Sequence, residues 1–163
     1  MLRGLNMDRQ LLVSSLIDYA GRNHSATEVV ATDSSGRVHR TNWTQVHSRA
    51  RQVAGALKAG GIEQGDRVAT IAWNDHRHLE VYYGITGIGS VLHTVNPRLR
   101  EQQIAWIVNH AEDQIVFVDP DFLPIAEKIA SETASVRCWV VLTDELPTTS
   151  LENAVAYEEW IED

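Results

Sequence analysis

Cysteine is nearly absent from this sequence of 163 residues, in which Cys138 is the only one. A single cysteine excludes a disulfide bond within the chain and a zinc site built from several thiolates. Cys138 lies in the apolar segment 136–142, where we expect its thiol to be a small buried hydrophobe. A reactive thiol would need an accessible, electropositive setting instead.

Long apolar segments are also absent. No stretch approaches the ~18 apolar residues of a membrane-spanning helix, and the first residues, Met1 to Asn6, lack the apolar core of a secretion signal. We therefore expect a cytoplasmic protein with no membrane span. The length, with 44% hydrophobic and 22% charged residues, is typical of one globular domain covering residues 1–163.

Basic side chains are scarce in the second part of the chain. Residues 101–163 contain Lys128 and Arg137 against 14 acidic residues, a net charge of −12, whereas residues 1–100 carry a net charge of +4. An acidic surface repels phosphate backbones and anionic lipid headgroups. The arginines of the first part are scattered, which is typical of a solvated surface. We therefore expect no nucleic-acid partner.

Hydrophobic periodicity and turn residues divide the chain into alternating elements. The predicted strands cover 28–32, 37–41, 67–73, 90–95, 115–118 and 136–142, and the predicted helices cover 11–22, 43–57, 75–88, 101–109, 121–132 and 151–160. The first two strands form a hairpin, expected at a sheet edge, around the turn 33–36. From residue 67 onward, strands and helices alternate, which predicts a parallel sheet with helices on both faces. The expected fold class is α/β, with an N-terminal β-hairpin.

Several residues mark the helix ends and contacts. Asn42 is a suitable N-cap for the helix that follows, Gln45 would complete a capping box, and Gly60 with Gly61 supplies a left-handed stop. Because glycine inside a helix costs about 1 kcal/mol relative to alanine, Gly84 and Gly87 indicate close packing of the third helix against a neighbour.

Ligand sites of open parallel sheets lie beyond the carboxyl ends of the strands. Here those positions are residues 73–75, 95–97, 119–120 and 143–144, and together they do not form a recognisable catalytic set. Phosphate-binding loops place glycines between a strand and a helix start. The glycines at 84, 87 and 89 instead end a helix and precede a strand, and no Walker-type loop is present.

The histidines are the remaining candidates for chemistry. In the segment 75–80, His76 and His78 would project about 200° apart on a helix, which disfavours a shared metal ion, and Asp75 suits the positive helix start. His93 lies in an apolar strand and is expected to be a hydrogen-bonded core residue, with a catalytic base as the alternative. His110 closes a helix, where a cation suits the dipole. We therefore predict no catalytic, cofactor-binding or metal-binding residues in this chain.

Four segments resemble a known family. Residues 41–46 (TNWTQV) resemble the first core motif of the adenylate-forming enzymes, which include acyl-CoA synthetases, luciferases and peptide-synthetase adenylation domains. Residues 61–69 (GIEQGDRVA) are similar to the turn into the family's first buried strand, and residues 83–99 (YGITGIGSVLHTVNPRL) to its second core motif. The His-Thr before NPRL, followed by residues 108–113 (VNHAED), is typical of fatty-acyl-CoA synthetases.

The resemblance covers residues 11–160 and implies an N-terminal subdomain of a larger, AMP-binding ligase. The family's phosphate loop ending in Pro-Lys-Gly, its aromatic-Thr-Glu magnesium motif, its ribose-binding Asp and its C-terminal lysine lie downstream and do not occur in these 163 residues. ATP, Mg²⁺ and CoA are thus expected for the parent enzyme and none of them for this chain, which we expect to be inactive alone.

The expected partner is the remainder of the parent enzyme, and an apolar face left uncovered would favour self-association. The alternative is a self-contained small α/β binding or signalling module. The missing phosphate loop weighs against this alternative, as does the missing receiver-type set around Asp119, namely an acidic pair after the first strand and a lysine after the last.

Overall fold

The computed structural model describes residues 10–162, so the expectation about residues 1–6 lies outside the described part. The helices and strands alternate along most of the chain, in keeping with the predicted α/β pattern. Their bounds, in chain order, are α1 Ser14–Asn23, β1 Glu28–Thr32, β2 Val38–Asn42, α2 Trp43–Ala59, β3 Arg67–Ile71, α3 His76–Gly87, β4 Val91–Thr94, α4 Glu101–Ala111, β5 Ile115–Val118, α5 Leu123–Ile129, β6 Cys138–Val141, β7 Ala154–Ala156 and α6 Tyr157–Glu162.

The main sheet is five-stranded and parallel, with the strand order β4-β3-β5-β6-β7. This confirms the predicted α/β fold with its parallel sheet. β1 and β2 pair antiparallel as the predicted hairpin. They form a separate two-stranded sheet, so the expectation that the hairpin lies at a sheet edge is wrong. Short β-sheets of this size need packing from elsewhere for stability.

Helices cover both faces of the sheet, as predicted. On one face, α4 and α5 pack on alternate residues of the strands in a core that includes Ala69, Ile71, Val116, Ile104 and Ala126. On the other face, α2, α3 and α6 enclose a second core. This second core includes Val53, Val81, Val68, Phe117 and Tyr157. The two cores follow from the period-2 alternation of a strand buried on both sides.

The predicted helix ends are mostly confirmed. The Asn42 side chain accepts a hydrogen bond from the backbone N–H of Gln45 at 3.0 Å, and Gly61 has φ +77°. The capping box does not form, because the Gln45 side chain accepts from the Thr41 hydroxyl at 2.8 Å instead. Gly84 lies so close to α2 that a Cβ there would come within 2.5 Å of a Val53 methyl group. Gly87 has no such neighbour within 4 Å.

Other predictions of element bounds and buried faces need correction. The strands predicted at 67–73 and 136–142 are shorter, and the predicted helix 121–132 is an α-helix flanked by two 3₁₀ turns. The segment 151–160, predicted as one helix, contains β7 before α6 begins at Tyr157. The first helix forms, but Leu12, Leu16 and Tyr19, whose spacing predicted it, are exposed, and Ile17 is its buried residue.

None of the helices within residues 10–162 is both long and apolar enough to cross a membrane.

Candidate functional site

The carboxyl ends of all five strands meet at one edge of the sheet, because the strands are parallel. The chain leaves β3 at Ile71, β4 at Thr94, β5 at Val118 and β6 at Val141. The four polar segments that the sequence placed at strand ends are therefore on the same side of the molecule. We call this side the carboxyl edge.

A shallow groove crosses the carboxyl edge between the loops that follow β3 and β4. Its lining is Ala72, Trp73, Asn74 and residues 94–98. The Trp73 indole N–H donates to the Asp121 carboxylate at 2.9 Å, and its ring packs on Phe122 with 4.9 Å between centroids. The indole therefore links the β3 loop to the 3₁₀ turn after β5, and 38% of Trp73 is exposed.

Asp75 and His78 organise the start of α3 at this edge. The Asp75 carboxylate accepts from the backbone N–H of His78 at 2.9 Å, so Asp75 is the N-cap of α3, as its position at the helix start suggested. The two ring nitrogens of His78 lie 3.1 Å from the Thr70 hydroxyl and 3.1 Å from the Asn74 amide oxygen. Burial lowers the pKa of His78, which favours the neutral ring that can bridge these two groups.

Asp119 ends β5 and caps the 3₁₀ turn that follows. Its carboxylate accepts from the backbone N–H of Asp121 at 3.1 Å. Burial raises the pKa of Asp119 to about 6, and the charges of Asp121 and Asp75 act in the same direction. The carboxyl edge thus holds one carboxylic acid that titrates near neutral pH.

A buried ion network lies behind the carboxyl edge, between α2, α3 and α6. We call the side chains of Arg49, Arg77, Glu80, Tyr157 and Glu158 the ion network. Glu80 is 1% exposed; it accepts from Arg49 at 2.9 Å and from the Tyr157 hydroxyl at 2.8 Å. Burial raises the pKa of Glu80, whereas Arg49 and Tyr157 oppose that shift.

The two arginines of the ion network share Glu158. Arg49 binds its carboxylate at 2.8 Å and Arg77 binds it at 3.1 Å. Arg77 also donates to the Leu142 carbonyl at 3.3 Å and pairs with Asp144. Both guanidinium groups lie over the Tyr157 ring, 5.5 and 6.0 Å from its centroid. Their charge is therefore directed at residues of the chain itself.

His76 points away from His78, as their predicted divergence requires. Its ring stacks on His39 of β2 with 3.6 Å between centroids. Burial lowers the pKa of His76 to about 4; Asp75 opposes this shift, and His39, Arg77 and Arg49 add to it. The neutral ring thus contributes to the contact between the hairpin and α3. Within residues 10–162, no group of three His, Cys, Asp or Glu side chains is placed to hold a metal ion.

The remaining candidates have structural surroundings. His93 is hydrogen-bonded to Asp113 at 2.7 Å, as expected for a hydrogen-bonded histidine. His110 lies in the last turn of α4, where it stacks on Trp106. Cys138 is half-buried and packs at the margin of the α2, α3 and α6 core. Burial raises the pKa of its thiol, which disfavours the reactive thiolate form.

The ion network is not predicted by the sequence patterns. Its members come from three helices, and Glu80 and Tyr157 are 77 residues apart, so no local pattern connects them. An available signal was the presence of Arg49 and Glu80 near the apolar faces of otherwise amphipathic helices. At the carboxyl edge, Asp75 caps α3 and His78 bridges Thr70 and Asn74.

Comparisons with known proteins agree on one family. A model of the AMP-binding enzyme family covers residues 17–162. The medium-chain-fatty-acid–CoA ligase of Ectopseudomonas oleovorans is 44% identical over 160 residues, which are 97% of this chain and 29% of that protein. The 3-methylmercaptopropionyl-CoA ligase of Ruegeria pomeroyi is 42% identical over 97% of this chain and 30% of its own length.

The same fold occurs in solved structures. Coronafacic acid ligase from Pectobacterium brasiliense superimposes with a TM-score of 0.79 at 18% identity, over 94% of this chain and 30% of that one. The present chain thus spans less than a third of the length of these relatives.

Proposed function

Because this chain belongs to the AMP-binding enzyme family, we propose that it forms the N-terminal lobe of an ATP-dependent fatty-acid–CoA ligase. The observation that carries the proposal is the 44% identity over 160 residues with the medium-chain-fatty-acid–CoA ligase of Ectopseudomonas oleovorans. In the proposed parent reaction, a fatty carboxylate attacks the α-phosphate of ATP and releases pyrophosphate. The CoA thiol then displaces AMP from the acyl-adenylate to form the thioester.

We propose that the described residues of this chain do not by themselves supply the charge stabilisation that phosphoryl chemistry needs. Developing charge on phosphate is met by metal ions, lysine or arginine side chains and loop amides. In the described part of the chain, Arg49 and Arg77 are engaged by Glu80, Glu158 and Asp144, and no three side chains are placed for a metal. These residues do not fit ATP with Mg²⁺ and take no part in the proposed catalytic steps. The proposed role of the lobe is structural support of the carboxyl edge.

A chimera tests the proposed role. Residues 11–160 would replace their counterparts in the Ectopseudomonas oleovorans ligase, and CoA thioester formation from a medium-chain fatty acid would be measured. We expect a folded chimera to keep the activity and the isolated chain to release no pyrophosphate from ATP. A folded chimera without thioester formation would contradict the proposal, as would pyrophosphate release by the isolated chain.

The substrate requires a second experiment, because the relative from Ruegeria pomeroyi acts on a different acid at similar identity. The reading frame beyond residue 163 would be sequenced and, where it continues, expressed. We expect a Ser/Thr/Gly-rich loop ending in Pro-Lys-Gly and thioester formation with fatty acids. A stop codon would instead favour the alternative of a self-contained small α/β module. The similarity to CoA ligases does not favour that alternative. The proposed compartment is the cytoplasm.

The proposed partners are the remainder of the parent enzyme and, for the chain alone, a second copy. Support for self-association comes from Leu12, just before α1, and from Leu16 and Tyr19 of α1, which are 53–62% exposed. Light scattering should show dimers or larger species at high concentration, and Leu16→Ser should reduce them. A strictly monomeric chain under these conditions would contradict self-association.

A further inference from the structure

Two family-typical motifs of the sequence, His-Thr before NPRL and VNHAED, meet in the fold. His93 comes from the first motif and Asp113 from the second, and they are 20 residues apart. The Nδ1 atom of His93 lies 2.7 Å from the Asp113 carboxylate. We assign the hydrogen of this contact to Nδ1 of His93, with the carboxylate oxygen as the acceptor. The proposed function of the lobe makes no use of this contact.

The contact connects β4 to the turn between α4 and β5, and β4 and β5 are not neighbours in the sheet. In the order β4-β3-β5, β3 separates β4, which carries His93, from β5, which follows Asp113. His93 pairs in register with Ala69 of β3, and Ala69 belongs to the core under α4 and α5. The pair therefore crosses β3 on the side of α4.

The two ends of the contact differ in how firmly they are held. Asp113 is fully buried, and its backbone N–H is bonded to the Val108 carbonyl at 3.1 Å at the end of α4. β4 is a four-residue edge strand with one neighbouring strand, and Val91 and Thr94 are exposed. Edge strands of this length have few interactions of their own. Asp113 is thus the firmly held end of the contact, and β4 is the element whose position the contact stabilises.

The Asp113 carboxylate also depends on His93. Its Oδ1 atom is buried and has no hydrogen-bond partner within the described residues. A buried carboxylate without a donor is strongly disfavoured. His93 is the side-chain partner of this carboxylate in the structure, so each residue of the pair stabilises the position of the other.

We propose that His93 and Asp113 are positioning residues that tether β4 and thereby hold the loop 96–98 at the carboxyl edge. This loop begins two residues after Thr94 of β4 and lines the groove beside Trp73. The role of loop 96–98 at the carboxyl edge of a ligase rests on the proposed function. The tether itself concerns the chain alone and is tested without any activity.

Hydrogen exchange of two histidine variants tests the tether. Asn at position 93 can place an N–H donor near the Nδ1 site, whereas Gln extends its amide toward the Nε2 site. The reporter is the Val95 amide, which is bonded to the Thr70 carbonyl at 2.9 Å. We expect His93→Gln to speed its exchange about 10–100-fold and His93→Asn to leave it near the original rate. The Leu142 amide, on the other side of β5, should not change in either variant.

The chain provides a matched control pair. His47 lies 2.8 Å from Asp18 at the contact of α1 and α2, but the Asp18 side chain is 47% exposed. Exposed pairs of this kind contribute little, so Asp18→Asn should change exchange of neighbouring amides by less than about fivefold. The comparison separates a buried tether from an ordinary surface pair.

Three outcomes would overturn the proposal. They are unchanged Val95 exchange in His93→Gln, equal acceleration in the Gln and Asn variants, and equal acceleration at Val95 and Leu142. If His93→Gln does not fold, the nitrogen-15 NMR spectrum of the histidines in the unmodified chain tests the proposal instead. A hydrogen on Nδ1 of His93 supports the tether, and a bare Nδ1 overturns it.

Discussion

On one face of the five-stranded sheet, α4 and α5 cover the strands with apolar side chains, whereas on the other face α2, α3 and α6 also enclose charge. The first core includes the apolar side chains of Ile104, Val116 and Ala126, with the His93–Asp113 pair beside it. The second contains Glu80 at 1% exposure, held by Arg49 and Tyr157. On the first face, a core residue can be replaced by another apolar residue of similar volume. In the ion network, removing one member leaves a buried charge without its partner.

The largest effect is expected from Arg49→Ala. The substitution leaves the Glu80 carboxylate buried with the Tyr157 hydroxyl as its remaining partner. Removing one partner of a buried ion pair costs about 3–5 kcal/mol, and we expect the free energy of unfolding in urea to fall by that amount. Arg51→Ala, at an exposed position of the same helix, is the control and should stay within about 0.5 kcal/mol. A loss below about 1 kcal/mol for Arg49→Ala would contradict the distinction between the two faces.

A double substitution sharpens the same comparison. Arg49→Met together with Glu80→Met replaces the pair with apolar side chains of similar length. Such replacements are often neutral or stabilising, because no charge remains buried without a partner. We expect most of the stability lost in Arg49→Ala to return, as measured by urea unfolding. A double variant as unstable as Arg49→Ala would show that shape, rather than charge, makes Arg49 necessary.

On the apolar face, Ile104→Ala should cost about 2–5 kcal/mol, because it leaves a cavity in a core where Ile104 is fully buried. Trp106→Ala, on the same helix at a side chain that is 64% exposed, is the control and should cost much less.

The two faces should differ in how the stability of their variants depends on pH. Since burial raises the pKa of Glu80 and acid protonates it, the cost of Arg49→Ala should shrink as the pH falls, whereas the cost of Ile104→Ala should not.

The packing of α3 on α2 gives a smaller effect. Gly84→Ala would place a methyl group 2.5 Å from the Val53 side chain and 3.0 Å from the Ala50 carbonyl, and overpacking of this kind costs about 1–3 kcal/mol. Gly87→Ala is the matched control on the same helix. It meets nothing within 4 Å and should gain up to about 1 kcal/mol from helix propensity. Thermal unfolding of the two variants should therefore shift in opposite directions.

The sequence predicted the features that depend on neighbouring residues. The apolar residues 115–118 form β5, Asn42 caps α2, and Gly84 is a close contact, because each of these depends on local periodicity or backbone freedom. β7 has only three residues in an acidic segment, so its pairing with β6 decides its conformation. Likewise, Arg49 and Glu158 are 109 residues apart, and no local pattern encodes their contact.

Asp119 extends the comparison to the carboxyl edge, where burial and the charges of Asp121 and Asp75 raise the pKa of its carboxylate and Arg77 offsets only part of that shift. Burial raises its pKa to about 6, against about 3.9 in an unfolded chain. Between these pH values the folded state holds more protons than the unfolded state, so the free energy of unfolding falls as pH rises through this window. Asp119→Asn keeps an acceptor for the Asp121 N–H and cannot ionise.

We therefore expect Asp119→Asn to raise the free energy of unfolding by about 1 kcal/mol at pH 7 and to leave it unchanged at pH 3.5. Urea unfolding at the two pH values measures the difference. Glu152→Gln, which neutralises an exposed carboxylate before β7, is the control and should show no such dependence on pH. An equal gain at both pH values would mean that the amide stabilises the 3₁₀ turn as a better cap, and that ionisation of Asp119 costs the fold nothing.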